Sequence, residues 1–167
     1  EISPRTFSVK VREGSRLSQL RLRRGQQSLD DAALTLLQQR YKIEQFDDQT
    51  QISIRDGIGL SVNLTPQTDT ELIGWRARKH AGLIDVDVVG GQPAARFWEV
   101  VTLCDLAKGG LVLNPDEFYI LASREFVTAP PDYAAEMRAY DTRVGEFRAH
   151  YAGFFGPGFG VDAIGAL

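Results

Sequence analysis

Short runs in which apolar residues alternate with polar ones recur along this chain, and turn signals separate them. Phe7, Val9 and Val11 alternate with Ser8, Lys10 and Arg12, and Leu20 and Leu22 alternate with Arg21 and Arg23. Ile52 with Ile54, then Leu60, Val62 and Leu64, then Ile84, Val86 and Val88 repeat the pattern. A period of two is the signature of a half-buried strand, because successive side chains leave opposite faces of the pleat. Glu13-Gly14, Asp56-Gly57, Gly90-Gly91 and Asn114-Pro115-Asp116 read as the turns, and Pro66 stops one run. Leu111 to Leu113 and Phe118 to Ala122 add two more strands, while residues 93–108 carry no clear period. Many short strands with turns between them predict a mainly β barrel or sandwich.

One segment departs from this pattern. Ser28 to about Tyr41 reads as a helix, with Leu29, Ala33, Leu36 and Leu37 as an apolar stripe. Ser28 and Asp31 match a capping box, in which the Ser oxygen accepts the backbone N–H three residues on. The polar stretch Gln45 to Gln51 is a plausible joint. Pro130-Pro131 breaks the chain before a weakly helical Tyr133 to Met137. The last stretch is rich in glycine and aromatics: Tyr151, Phe154, Phe155, Gly156, Pro157, Gly158, Phe159, Gly160.

Composition narrows the function classes. Hydrophobic residues make up 43% and charged residues 25%, enough for a real core. No apolar run approaches the roughly 20 residues that span a bilayer, so no membrane partner is expected. Cys104 is the single cysteine, and His80 and His150 are the two histidines, far apart in sequence. This excludes an internal disulfide and the clustered ligands of a zinc site. Glu1-Ile2-Ser3-Pro4-Arg5 lacks a leader pattern, and the cytoplasm is the expected location. Residues 1–25 hold seven Lys and Arg (Arg5, Lys10, Arg12, Arg16, Arg21, Arg23, Arg24) against Glu1 and Glu13, although the whole chain carries −3. A basic block can attract phosphates. Alternation with Val and Leu favours solvated strand faces instead, so nucleic acid is not an expected partner. There is no Gly-rich Lys-Ser/Thr phosphate loop and no dinucleotide fingerprint. The Pro within Gly156–Gly160 and its β setting argue against a helix-capped phosphate cradle.

A set of strand and turn residues remains. Leu113-Asn114-Pro115-Asp116-Glu117-Phe118-Tyr119-Ile120-Leu121 is followed by Glu125-Phe126-Val127-Thr128 and Pro131-Asp132. Arg138-Ala139-Tyr140-Asp141-Thr142-Arg143-Val144-Gly145, Tyr151-Ala152 and Gly156-Pro157-Gly158-Phe159-Gly160 come next. The order and spacing resemble the dCTP deaminases of the dCTP deaminase and dUTP pyrophosphatase superfamily. That pattern runs as a strand after a Pro-Gly-Glu turn, a Glu-x-Val-x-x-Pro stretch, an Arg-Ser-Ser-x-x-Arg-x-Gly motif and an Asp-Pro-Gly-Phe/Trp-x-Gly turn. Gly59 to Leu64 is similar to the family's early Ser-Leu-Asp-Leu strand. The beginning of the chain resembles the part of the same fold beyond the Gly turn: a strand bearing the catalytic Glu, an alternating strand, a turn and a closing strand.

The resemblance therefore implies dUTPase-like β-barrel or β-clip pieces joined by one α-helix. Residues 1–25 are expected to be the last strands of a first domain, 26–46 a linking helix, and 47–167 a second domain incomplete at its C-terminus. This is the arrangement of the long, two-domain bacterial form, of which the chain is expected to be a fragment, inactive alone. The resemblance implies Glu1 as catalytic residue, Arg138 and Arg143 as phosphate ligands, and the backbone of Ala152 as a substrate contact. It implies dCTP and dUTP as the nucleotides, Mg²⁺ carried by the triphosphate, no zinc, and self-association into a homo-oligomer. Two departures bear on the second copy: Ala139 and Tyr140 replace the paired Ser, and Gly156 replaces the Asp of the turn. Deamination of dCTP, cleavage of dUTP on the same fold, and a non-catalytic nucleotide-binding or assembly role all stay open, because function lives in the site rather than the fold.

Overall fold

The computed structural model describes residues 4–18, 20, 22, 28–45, 53–65, 72–137 and 154–161. In chain order the elements are β1 (Ser8–Lys10), α1 (Asp31–Tyr41), β2 (Glu44–Gln45), β3 (Leu72–Ala77), β4 (Leu83–Asp85), α2 (Ala94–Phe97) and β5 (Trp98–Thr102). After a 3-10 turn at Leu103–Asp105 come β6 (Leu106–Ala107), β7 (Gly110–Leu111), β8 (Tyr119–Leu121), β9 (Phe126–Val127), β10 (Ala135–Glu136) and β11 (Phe154–Phe155). The mainly β expectation holds. The chain divides into two compact units, one of residues 1–24 with 63–122, the other of residues 25–62 with 123–167.

The first unit is built on an antiparallel sheet of order β5-β3-β8. Its central strand, Leu72-Ile73-Gly74-Trp75-Arg76-Ala77, shows no alternation, because a register shift between Leu72 and Gly74 interrupts the period of two. Gly74 is required there: a methyl group on it would run into the carbonyl oxygen of Ile120 on β8. Ile73, Phe97 and Val101 are buried. Phe7 stands edge-on to both Phe97 and Trp98 at 5.3 Å between ring centres, and Trp98 lies 6.0 Å from Phe118. These contacts hold the β1 end of the chain to the unit.

β1 pairs in parallel with β4. The expected Glu13-Gly14 turn is present, with Gly14 at φ +85, and Arg12 beyond β1 forks onto two carboxylates. Its Nη1 donates to Asp85 Oδ1 at 2.6 Å and to Asp87 Oδ2 at 2.9 Å. The guanidinium, as first cause, brings the Asp85 pKa down to about 2. One of the basic residues near the start of the chain, expected on a solvated strand face, instead lies just beyond β1 and pairs with carboxylates. Leu20 and Leu22, expected to bury one strand face, are 85% and 90% exposed and lie in no strand.

The second unit holds α1, and here the expected helix start is corrected. Asp30, not Ser28, is the N-cap, and its Oδ1 accepts the Ala33 N–H at 2.8 Å. Asp31 does not serve the capping box; its carboxylate accepts the N–H groups of Asp56 and Gly57 at 3.1 and 3.3 Å. The helix ends at Lys42 in the left-handed region, its N–H donating to Gln38 O at 2.8 Å. Leu37 is buried, but Leu36 is 66% exposed, so the predicted stripe is narrower than its spacing suggested. The weakly helical Tyr133–Met137 is also corrected, since Ala135 and Glu136 form β10. A five-residue pattern is too short to nucleate a helix against an available strand partner. Ile54 and Val62 contribute isolated bridges, to Ile58 and Ser123.

Beside β8, Glu117 collects four donors. Its Oε2 accepts the Tyr119 hydroxyl at 2.6 Å and the Asn114 side-chain amide at 3.1 Å. Lys79 Nζ lies 3.4 Å away and Arg76 Nη1 3.9 Å, while Arg76 also pairs with Glu99 at 2.6 Å across the β3–β5 ladder. The Tyr119 hydroxyl first, then Asn114, bring the Glu117 pKa down from 4.5 to about 2. A carboxylate whose folded pKa is depressed stabilises the fold above its unfolded pKa and loses that contribution as pH falls towards the folded one. The melting-temperature gap between wild type and Glu117→Gln should therefore be full at neutral pH, narrow below about pH 4.5 and close near pH 2. Thermal melts at stepped pH check this; a constant gap would show that the charge of Glu117 is not what stabilises the cluster.

Candidate functional site

Glu1, Arg138, Arg143 and Ala152, the residues that the motifs single out, all lie outside the described residues, as do Ala139 and Tyr140. What is described is the frame that carries the motif segment. Its spine is the chain from Ser123 to Pro130, in which Glu125, Val127, Ala129 and Pro130 are buried. Ser123 bridges to Val62, and the Arg124 N–H donates to Ser61 O at 2.9 Å. β9 pairs antiparallel with β2, and the Thr128 N–H donates to Ile43 O at 2.7 Å.

The far end of the spine holds the Gly-rich turn. The Ala129 N–H donates to Phe159 O at 2.9 Å, and the Gly158 N–H donates to Ala129 O at 3.0 Å. Within the turn, the Phe159 N–H donates to Gly156 O at 3.1 Å. Gly158 and Gly160 stand at φ +81 and +72, where a side chain is strained. At Gly160 a Cβ would also sit 2.9 Å from Val127 O. Phe155 is buried, with its ring 4.8 Å from that of Phe159. β10 and β11 pair antiparallel, Ala135 with Phe155 and Glu136 with Phe154. In sequence, residues 137–153 lie between the two strands of this ladder.

Glu125 is the buried charged residue of this frame, 7% exposed. Its Oε2 accepts the Ser61 N–H at 2.7 Å and its Oε1 accepts the Ser61 hydroxyl at 2.5 Å. The Glu-x-Val-x-x-Pro stretch and the Gly59–Leu64 segment, expected as a strand but showing only the Val62 bridge, are joined by these bonds. The role of Glu125 was missed, because acids on strands ordinarily face water. The family-like position of the Glu was the signal that could have found it. Among the described residues no group of three or more His, Cys, Asp or Glu side chains could hold a metal ion. No described helix is long and apolar enough to cross a membrane.

Docking of the turn gives a prediction. Gly160→Ala combines a left-handed backbone with contact against Val127 O, and should cost about 1–3 kcal/mol. Gly156→Ala meets open space and should cost much less. Urea unfolding of the two variants measures the difference; equal losses would show that the turn does not pack as described.

Comparison with known proteins places this frame. Residues 30–167 match the family model described as 2'-deoxycytidine 5'-triphosphate deaminase, C-terminal domain, and residues 1–26 match the N-terminal domain model of the same family. Among solved structures, the crystal structure of 2'-deoxycytidine 5'-triphosphate deaminase from Agrobacterium tumefaciens is 44% identical, with a TM-score of 0.81. The match covers 95% of this chain and 46% of that one, so the chain spans about half the length of that relative. No curated protein matches the chain.

Proposed function

The chain belongs to the dCTP deaminase family, and from that premise we propose that the protein carrying it is a hydrolase that converts dCTP and water to dUTP and ammonia. The observation that carries this is the pair of family matches, over 1–26 and 30–167, together with 44% identity to a solved deaminase across 95% of the chain. In the same reading residues 1–25 close a first dUTPase-like domain, 26–46 link, and 47–167 form a second. The change from the N-terminal to the C-terminal family model at residues 27–29 supports a boundary there, with the helix falling on the C-terminal side. Its place would be the deoxynucleotide pool of the cytoplasm, and its working form a homo-oligomer.

The chemistry asks for few groups. Water attacks C4 of the cytosine ring, the C4–N4 bond breaks and ammonia leaves. One carboxylate can take the proton of the water and return it to the departing nitrogen. Glu1 is proposed for this, with a pKa raised by burial so that it does both. Arg138 and Arg143 would fork onto the triphosphate, and the backbone of Ala152 would contact the nucleotide. By sequence Arg138 follows β10 by two residues and Ala152 precedes β11 by two, so a rigid ladder brackets the proposed binding segment. Mg²⁺ would come bound to the phosphate oxygens, which suit its oxygen-only, partly hydrated coordination.

A second reading is favoured by Ala139, Tyr140 and Gly156, which replace the two serine hydroxyls and one carboxylate of the family motifs. In it the second copy is a scaffold for the first. Product analysis on the intact protein tests the main reading. Release of ammonia with dUTP is the expected outcome, whereas pyrophosphate with dUMP would make it a dUTP-cleaving relative.

Arg143 distinguishes a binding copy from a scaffold. Charge-assisted bonds contribute roughly 1.5–3 kcal/mol each, so Arg143→Ala should weaken dCTP binding by at least about tenfold. Arg143→Lys, which keeps charge without the planar fork, should recover only part. Deoxycytidine, without phosphates, should bind all three proteins alike. Calorimetric titration checks this; unchanged dCTP affinity in a folded Arg143→Ala protein would leave the second copy a scaffold.

A further inference from the structure

Glu125 takes no part in the proposed chemistry, yet burying a carboxylate is expensive unless strong hydrogen bonds compensate it. Here both oxygens are used on a single residue, Ser61, 64 positions away in sequence. The two chain segments run side by side at this point, with the Arg124 N–H on Ser61 O and Ser123 bridged to Val62. A slip of one residue would turn every side chain of the spine to its other face. It would expose Val127 and Ala129, which are 8% and 2% exposed, and part the carboxylate of Glu125 from its donors on Ser61. A buried polar pair of this kind is best understood as a register lock.

We propose that Glu125 is a positioning residue for substrate binding: locked to Ser61, it sets the register of the spine on which the Gly156–Gly160 turn docks. Glu125 lies in a bend just before β9, and only three residues separate it from Ala129, whose N–H and C=O hold Phe159 and Gly158. The turn follows β11 directly, and β11 pairs with β10. A shift at Ser61 therefore reaches the turn through the bend at Glu125 and the short β9. The proposal rests on the deaminase reading and deepens it, since it adds a residue outside the motif that reads as catalytic.

The test uses the intact protein with Glu125→Ala, Glu125→Gln and Ser61→Ala. KM and kcat for dCTP are measured, along with hydrogen exchange at the amides of Ala129 and Gly158. Glu125→Ala should raise KM about tenfold with a smaller change in kcat. Exchange at Ala129 and Gly158 should quicken, while amides in the β3–β5 ladder keep their protection. Glu125→Gln should restore both readouts. Its oxygen can accept the Ser61 N–H, and its amide can donate to a hydroxyl turned the other way. If Glu125 were a proton carrier, Gln would be as inactive as Ala, and kcat would fall rather than KM rise. If it only added stability, KM would stay and all amides would exchange faster together. Either result, or native KM and native Gly158 exchange in Glu125→Ala, overturns the proposal. Should Glu125→Ala fail to fold, Ser61→Ala keeps the backbone bond and must show the same pattern at smaller size. A wild-type protein that releases no ammonia from dCTP overturns the deaminase reading instead, and the exchange arm then decides alone whether Glu125 holds the turn.

Discussion

The backbone hydrogen bonds of the segment Ser123–Pro130 are the constraint on which the second unit depends. Ser61 and Val62 flank its start, Ile43 and β2 its middle, and the Gly156–Gly160 turn its end. Three stretches remote in sequence are therefore aligned by one segment, a bend at Arg124–Glu125 followed by the short β9, whose own groups must find partners once buried. Among the described residues of this unit, Leu37, Ile43, Val127, Ala129 and Phe155 are the buried hydrophobic ones. The buried carboxylate of Glu125 and the backbone hydrogen bonds add directional register to that packing. This explains why polar residues such as Ser61 and Glu125, and a glycine such as Gly160, matter here as much as large side chains.

The first unit solves the same problem differently. Its sheet is anchored by aromatic contacts among Phe7, Phe97, Trp98 and Phe118, and by ion pairs at its margins. Arg12 with Asp85 and Asp87, and Arg76 with Glu99 and Glu117, place charge pairs where strands end or lie opposite. Exposed pairs contribute little each and are screened by salt, so their role is registration of β1 on β4 and of β3 on β5 more than net stability.

Alternation and turn chemistry made much of the fold legible. β1 and β8 fall within predicted runs, β4 (Leu83–Asp85) only overlaps the start of the Ile84–Val88 run, whose remainder is a turn, and the turns at Glu13-Gly14 and Asn114–Asp116 stand where Gly, Pro and Asp placed them. β3 and β5 were illegible for a definite reason. A register shift after Leu72 breaks the period in β3, and Trp98-Glu99-Val100-Val101-Thr102 carries adjacent apolar residues that no period of two describes. The helix was found, but its start was not, because three candidate caps, Ser28, Asp30 and Asp31, sit within four residues. Only the Asp56–Gly57 turn, which engages Asp31, decides among them. For the site, family-like motifs located the frame at Glu125–Pro130 and Gly156–Gly160. Its physical role came from contacts between positions 64 apart, which no local pattern encodes.

The departures at Ala139, Tyr140 and Gly156 can now be weighed against what the frame retains. Gly156 replaces a carboxylate at a position where a side chain meets open space, so the loss there leaves the turn intact. The glycines that the turn cannot do without, Gly158 and Gly160 at positive φ, are kept, as are the buried Val127 and Pro130. The departures from the family's pattern therefore fall on side chains, while the glycines that hold the turn's backbone in place are present. Removing a hydroxyl donor from a phosphate site weakens the site without unfolding anything, whereas losing the turn would release the ladder beside it.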